Sequence, residues 1–425
     1  MRKKHIVILG AGITGLTFAR SLPKDRFDIT LLEKSERVGG CLQSESSDGF
    51  FFEATARTFV TGRSQQLLQL IHTLHLEGSL IYSAEEAKKR YLWNGTKLKR
   101  MDHPLSLLTL GGEILAEPFR KRERVDDESV ADFVRRRFGK KVLEQLFDPL
   151  VLGIYGADSE MLSISSCFPK FKGWEERYGS CLKGLLKERQ AKGSQLFSLK
   201  GGTQTLVDAL ENELKEKIFL NEEVESLSFQ KESVVVQTRR RKIEADLLVS
   251  TLPIHAMYAL FSPLDSSIAA HFGALHATSL TTIQLGYHAL QLPLQGFGYL
   301  VPSKWQEPLL GVVFDSSIFP EQNQRKKEVR LTLMLREGGL TSGLDALQRH
   351  LGIKRAPDFS KVQRLENAIP QYRVGHGARV ESLLKSVSMR FPRLKLLGSY
   401  LDGVSVNDCV ARALRQADLE ILQCL

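Results

Sequence analysis

The first forty residues constrain this chain more than any other stretch. His5-Ile-Val-Ile-Leu9 is β-branched and apolar, as a strand buried on both faces must be. Gly10-Ala11-Gly12-Ile13-Thr14-Gly15 follows at once, Leu16 to Leu22 carries a helical pattern stopped by Pro23, and Asp28 to Glu33 is a second apolar run closed by an acid. Strand, glycine turn, helix, strand and acid, in that order, form a dinucleotide cradle. Gly10 permits the tight turn, Gly12 lets a pyrophosphate approach the backbone, and Gly15 lets the helix pack close on the strand. The helix N-terminus offers free N–H groups and the positive end of its dipole. Glu33 lies 23 residues past Gly10, suited to accept hydrogen bonds from ribose hydroxyls.

Beyond this unit the pattern changes several times. Residues 64–76 predict an amphipathic helix, and Arg90 to Gly95 a strand entering an Asn-Gly hairpin that returns along Thr96 to Lys99. Residues 101–194 are mostly helical in pattern, with Asp126-Asp-Glu-Ser-Val opening one helix. A strand and glycine turn at 197–202 lead into a helix over 203–217, a hairpin over 226–238 and a buried strand near 246–253. Residues 276–336 alternate with strand period, and 394–398 is a late strand before a helix from about Asp408 to the end. A late strand, turn and helix can return to the first core. The 425 residues suit about three units at roughly 150 residues each.

Composition removes several classes of function. Lys and Arg number 59 against 49 Asp and Glu, a formal charge of +10 that favours an anionic partner. The five cysteines (Cys41, Cys167, Cys181, Cys409, Cys424) include no C-x-x-C pair, which argues against a disulfide framework or zinc knuckle and for a reducing, cytosolic setting. The apolar run behind the basic N-terminus, Ile6 to Leu9, is too short for a signal core, so secretion is not expected. The longest apolar stretch, 104–119, is broken by Gly111-Gly112-Glu113 and falls short of a span of ~18 to 20 residues. Arg120-Lys-Arg-Glu-Arg124 follows it, and an apolar helix with adjacent basic residues suits an anionic membrane surface. The other basic run, Arg239 to Lys242, reads as a solvated hairpin turn. Nothing resembles a nucleic-acid module, and no H-E-x-x-H, G-x-S-x-G or P-loop is present, so no metal site and no catalytic acid, base or nucleophile is assigned.

Two resemblances sharpen the reading. Glu33-Lys34-Ser-Glu-Arg37-Val-Gly39-Gly40 resembles the cofactor cradle of the amine oxidase and phytoene desaturase superfamily, which favours FAD over NAD. No second glycine fingerprint follows a strand, so electrons are expected to reach the flavin from a bound substrate and leave to oxygen or another diffusible acceptor. The chain as a whole resembles the protoporphyrinogen oxidase family. The likeness rests on 129–139, 148–158, 162–169, 199–206 and 296–302, and above all on Asn367-Ala-Ile-Pro-Gln-Tyr-Arg-Val-Gly-His376 and Gly398-Ser-Tyr-Leu-Asp-Gly-Val-Ser-Val-Asn-Asp-Cys-Val410.

The resemblance implies an α/β fold with α+β insertions: a Rossmann-like FAD domain assembled from 1–80, 195–265 and 365–425, an antiparallel-sheet substrate domain from 81–100 and 266–364, and an inserted α-helical, membrane-facing domain at 101–194. It implies that Lys34, Cys41 and Thr55-Ala56-Arg57-Thr58 continue the FAD contacts, that Val224 packs near the adenine, and that Val404, Ser405 and Val406 lie by the flavin. Arg90 matches a propionate-binding arginine, Phe297 and Leu300 match ring-packing positions, and Gly156 leaves room for the macrocycle. Ala54-Thr55-Ala56 departs from the Gly-Pro that the family carries after the acid at Glu53. The implied reaction is stepwise hydride removal from a porphyrinogen with oxygen as acceptor, by a cytoplasmic protein at the inner membrane face; the oligomeric state, a homodimer among the options, is left open. Coproporphyrinogen oxidation, another amine oxidase or desaturase activity, and a non-catalytic porphyrin-carrying flavoprotein stay open as alternatives.

Overall fold

Ile6 and Ile8 point to one side of the first strand and Val7 and Leu9 to the other, and both sides are buried. The strand therefore lies at the centre of a covered sheet. The computed structural model describes residues 2–101, 104–123, 125–188 and 194–422. Arg124 of the basic run and Cys424 lie outside them. We call Lys4–Leu9 β1, Ile13–Ser21 α1 and Phe27–Leu32 β2. A five-stranded parallel sheet places Ile218–Phe219, β2, β1, Leu247–Ser250 and Leu394–Leu396 side by side. One face packs on α1, Gln204–Leu214 and the last helix, Val406–Leu422. The other packs on Ile254–Phe261, Ser266–Gly273 and His376–Arg390.

A seven-stranded sheet forms a second layer in the order 359–371, 276–288, 328–335, 309–313, 298–300, 90–93, 98–100. The Asn-Gly hairpin over 90–100 thus closes one edge, with Arg90 to Leu92 parallel to Gly298 to Leu300. The FAD-domain boundary expected at 365 falls inside the strand Phe359–Gln371, whose pairing with 276–286 continues to Gln371. That strand alternates exposed and half-buried residues as an edge strand does, and this continuity holds it in the large sheet. The helices between 104 and 187 share a core of Phe133, Val134, Phe147 and Trp174, which also takes in Tyr372 and Val404.

Two helix limits differ from the pattern, each for a local reason. Asp126 to Glu128 precede the helix Val130–Phe138, because Ser129 caps it by accepting the Asp132 N–H at 2.9 Å. Asp127 and Glu128 instead serve tertiary contacts: Asp127 accepts from Gly375 N–H at 2.7 Å, and Glu128 pairs with Arg136 at 2.6 Å. The helix expected over 64–76 ends at Thr73, and His75 takes a φ of 57°.

Candidate active site

At the C-terminal edge of β1 the chain must turn sharply to enter α1. Gly10 takes φ 95° there, and Thr251 locks the turn by donating its hydroxyl to Leu9 O at 2.8 Å and Gly10 O at 3.1 Å. A Cβ on Gly15 would lie 2.1 Å from Gly10 O, so α1 sits directly on the turn. A Cβ on Gly12 would meet nothing within 4 Å. Gly12 caps α1 with extended backbone and no side-chain bond, which leaves the helix's first N–H groups free for an anion.

Glu33 is anchored beside this turn. Its carboxylate accepts Ala11 N–H at 2.9 Å, Ser35 N–H at 3.0 Å and the Ser35 hydroxyl at 2.7 Å. Gly39 donates to Ala11 O at 2.8 Å, which brings the second glycine pair against the first. Arg37 folds its guanidinium back onto Val38 O (3.0 Å) and Gly40 O (2.8 Å), while Lys34 stays exposed. Cys41 is exposed on the same loop, and its carbonyl accepts the Thr55 hydroxyl at 2.6 Å. Many protein atoms nonetheless surround it, as on the wall of a cleft, and burial pushes its thiol up. Ala56 packs on the nucleotide core, and Thr58 is half-buried. Arg57 reaches across to the second sheet and pairs with Asp315 at 2.7 Å. Val224, half-buried, opens a strand just after Asn221 and Glu222, whose N–H groups bond Ser35 O and Glu33 O.

The last helix completes the crevice. Its strand, Leu394–Leu396, runs parallel to β1's neighbour, so the helix that follows starts at the same sheet edge as α1. Cys409, Val410 and Ala413 pack with Ile13 and Leu16, so the two helices lie together with both N-termini on one opening. Ser405 and Asp408 form a reciprocal cap: Asp408 N–H donates to the Ser405 hydroxyl at 3.1 Å, and Ser405 N–H donates to the Asp408 carboxylate at 3.1 Å. Val404 packs with the helical core and Val406 with the nucleotide core, so this turn straddles the two.

The register of the large sheet puts Arg90, Leu92, Gly298, Leu300, Gly311 and Val313 on one face, opposite the core face of Tyr91, Tyr299 and Val312. Arg90 lays its guanidinium over Phe297, 5.1 Å from the ring centroid, with no acidic partner among the described residues. Leu300 packs down toward Gly153 of the helix Asp148–Tyr155, where a Cβ would lie 2.9 Å from it. Gly156 ends that helix with φ 62°, and a Cβ there would come 3.5 Å from Thr278. Gly156, against Thr278 on the strand 276–288, and Arg90, four strands across the sheet, therefore stand at opposite sides of the same face. Arg57 and Asp315 join this face to the nucleotide loops, and Gln284 adds a bond to Glu53 O at 3.0 Å. Glu53 itself is buried under hydrogen bonds from Thr203 and Ser44; burial dominates and pushes its carboxyl up.

Thr251, Asp315, Gln284 and Arg412 were not among the candidates. The first three act through partners more than 200 residues away (Thr251 lies 242 residues from Leu9), so no local spacing announces them; Arg412 bonds Asp402 ten residues back, across the turn before its own helix, a contact that no motif marks. Gly12 and the uncapped α1 fit a pyrophosphate, and the cradle as a whole fits a flavin dinucleotide.

Comparisons with known proteins agree with this geometry. A family model described as flavin containing amine oxidoreductase matches residues 13–419. A human protein named protoporphyrinogen oxidase is 30% identical over 470 residues, covering 99% of this chain and 98% of its own. A Bacillus subtilis protein named coproporphyrinogen III oxidase is 28% identical, covering 96% of each. A crystal structure from Exiguobacterium sp. 255-15, provisionally assigned as a protoporphyrinogen oxidase, superposes with TM-score 0.86 at 23% identity over the full length of both chains. Reduced UDP-galactopyranose mutase shares the fold at TM-score 0.76 and 15% identity, covering 100% of this chain and 95% of its own. The mixed α/β fold is thus that of the flavin-dependent oxidases, and FAD is the cofactor that the cradle takes. The chain belongs to the flavin-containing amine oxidoreductase family, as an FAD-dependent oxidoreductase of its protoporphyrinogen oxidase group.

Proposed function

We propose that this chain oxidises protoporphyrinogen IX to protoporphyrin IX in porphyrin biosynthesis, with oxygen as acceptor and hydrogen peroxide as product. The observation that carries the reading is Arg90, a cation stacked on Phe297 at the rim of a broad face whose nearest residues are Leu92, Gly298, Leu300, Gly311 and Val313. A porphyrinogen is a wide apolar ring edged with carboxylates, and such a face supplies area for the ring and one forked donor for a propionate. Bound FAD supplies the hydride acceptor. Gly10 to Gly15 hold its pyrophosphate, Glu33 its ribose, and the turn 404–406 its ring. Phe297 and Leu300 pack the macrocycle, the absent side chain of Gly156 leaves it room, and Arg90 fixes its orientation. Ring protons leave to solvent.

Purified protein loaded with FAD is expected to generate fluorescent porphyrin from protoporphyrinogen IX and to have its flavin bleached by that substrate without oxygen. Flavin that no porphyrinogen reduces would overturn the proposal and favour a carrier. Coproporphyrinogen III is the second reading, supported by the similarity to the B. subtilis relative. A single unpaired guanidinium on this face suits two propionates better than four, so turnover side by side is expected to favour protoporphyrinogen. Replacing Arg90 with Met should raise KM roughly 10- to 100-fold, the worth of a charge-assisted hydrogen bond of about 1.5–3 kcal/mol, with kcat less affected. Arg90→Lys should recover part of it. Equal KM values in steady-state assays would remove Arg90 from the site.

The helical region supports a peripheral membrane contact. Phe119 is 90% exposed and Leu115, Leu185 and Leu186 are exposed as well, with Arg120 and Lys121 beside them. Glu117 accepts N–H bonds from Cys181 and Leu182, which holds the 117–119 turn against the helix Cys181–Lys187 and gathers these residues into one patch. No helix among the described residues is long and apolar enough to cross a membrane. On this reading the chain rests on the cytoplasmic face of the membrane. Phe119→Glu, at a site too exposed to affect folding, should cut co-sedimentation with anionic vesicles several-fold; unchanged binding would refute this contact.

A further inference from the structure

We propose that Arg412 is a positioning residue for the flavin: it grips the turn 402–406 and lends it a buried positive charge. This rests on the reading that residues 404–406 face the flavin. Arg412 sits inside the last helix, its side chain only 5% exposed, and folds back under the turn. Its Nε donates to Asp402 Oδ1 at 2.6 Å and its Nη2 to Gly403 O at 3.2 Å, so one planar fork holds the two residues just before Val404. Gly403 takes φ 66°, a left-handed turn that glycine adopts without strain and that aims its carbonyl at the guanidinium.

The charge is incompletely neutralised. Nη1 is buried and has no acceptor among the described residues. Asp402 is 65% exposed and shares its carboxylate with Arg415 at 3.3 Å, so water and a second cation weaken its hold on the buried one. The buried Tyr400 hydroxyl is likewise without a partner. Its titration is pushed up by burial and eased down by Arg412, which places the two side chains within each other's field. The uncapped N-terminus of α1 adds positive potential to the same opening, whereas that of the last helix is already faced by the Asp408 carboxylate. An oxidised isoalloxazine is neutral, whereas the two-electron reduced ring, once singly protonated, is negative across N1 and C2=O. A fixed cation beneath the turn therefore binds the reduced ring more tightly than the oxidised one, which raises its potential.

The test is FAD affinity and the two-electron potential, measured by dye equilibration on the reconstituted full chain. Arg412→Gln should weaken FAD binding and lower the reduced-to-oxidised binding ratio about tenfold, a potential lower by about 30 mV. Asp402→Asn removes the partial neutraliser and should act the other way, about threefold or about 15 mV higher. Arg412→Lys should retain most of the potential while still loosening FAD, since it keeps the charge and loses the fork. A merely structural role would make Arg412→Gln and Asp402→Asn shift the potential in the same direction or leave it unmoved, and either result overturns the proposal. Should Arg412→Gln fail to fold, the sign of the Asp402→Asn shift decides, because that side chain is at the surface. Ser405→Trp separates the underlying reading: FAD affinity and spectrum unaffected by that bulk would show that the turn does not face the flavin, whatever Arg412 does.

Discussion

Gly12→Val is expected to lower FAD affinity at least 100-fold while leaving the fold intact, and Gly15→Ala to do the reverse. The two glycines stand three residues apart in one motif, yet their surroundings differ completely. No protein atom lies within 4 Å of a Cβ placed on Gly12, so a side chain there is aimed at what binds in the crevice. Losing one or two charge-assisted bonds between phosphate and helix N–H groups costs about 3 kcal/mol, which is roughly the factor of 100. At Gly15 even one methyl would sit 2.1 Å from a backbone oxygen, and backbone yields poorly. That variant should lose about 3 kcal/mol of stability and much of its yield. Fluorescence titration with FAD reads the first effect, and urea unfolding followed by circular dichroism the second. A Gly12→Val protein that keeps its yellow colour would mean that the pyrophosphate lies elsewhere.

The second large effect belongs to the helical region. Glu117 and Arg137 have no exposed side-chain surface at all and pair with each other. Glu117 also accepts from the Ser180 hydroxyl at 2.6 Å, Cys181 N–H at 2.9 Å and Leu182 N–H at 3.1 Å, and Arg137 donates further to Arg120 O and Gly179 O. Arg136, Glu128, Glu175 and Lys172 extend the network. Glu117→Ala leaves Arg137 buried with only Glu175, 3.7 Å away, as counter-charge among the described residues. A loss of about 3–5 kcal/mol is expected, read as a lower urea midpoint. Burial alone would push the Glu117 carboxyl up, but bonds from Ser180, Cys181, Leu182 and Arg137 outweigh it and hold it below the usual range; Glu175 is lowered likewise by Arg136. Carboxyls depressed in the folded state contribute stability that is present above their unfolded pKa of about 4.3 and lost as pH falls through the folded value. Wild-type protein should therefore weaken below about pH 4, and Glu117→Ala should show less of that acid dependence. An unchanged midpoint would mean that the network is energetically neutral.

The exposed apolar patch proposed to meet a membrane and this network occupy the same turn. Phe119 points outward two residues from Glu117, so the ion pair that roots the turn also presents its apolar tip. This explains why Arg120, at the start of the basic run, is only partly free: its guanidinium bonds Arg136 O at 3.2 Å.

Much of the site could be read from residue order. The motif from β1 through Glu33 is legible because its five parts are adjacent, and each does its work through backbone sterics that a glycine or an acid announces by itself. The Asn-Gly hairpin after Arg90 is legible for the same reason. What could not be read is which distant segments meet. Strands from 27–32, 218–219, 247–250 and 394–396 line up beside β1, and the strand 359–371 joins the other sheet across the boundary expected at 365. Thr251 on the glycine turn and Asp315 on Arg57 arrive by such meetings. Local order determined the cofactor cradle, because turn geometry and helix capping depend on residues a few positions apart. Tertiary structure alone decided which cations keep a partner and which stand ready for a ligand, because charge pairing and burial depend on distance in space, which spacing along the chain does not encode.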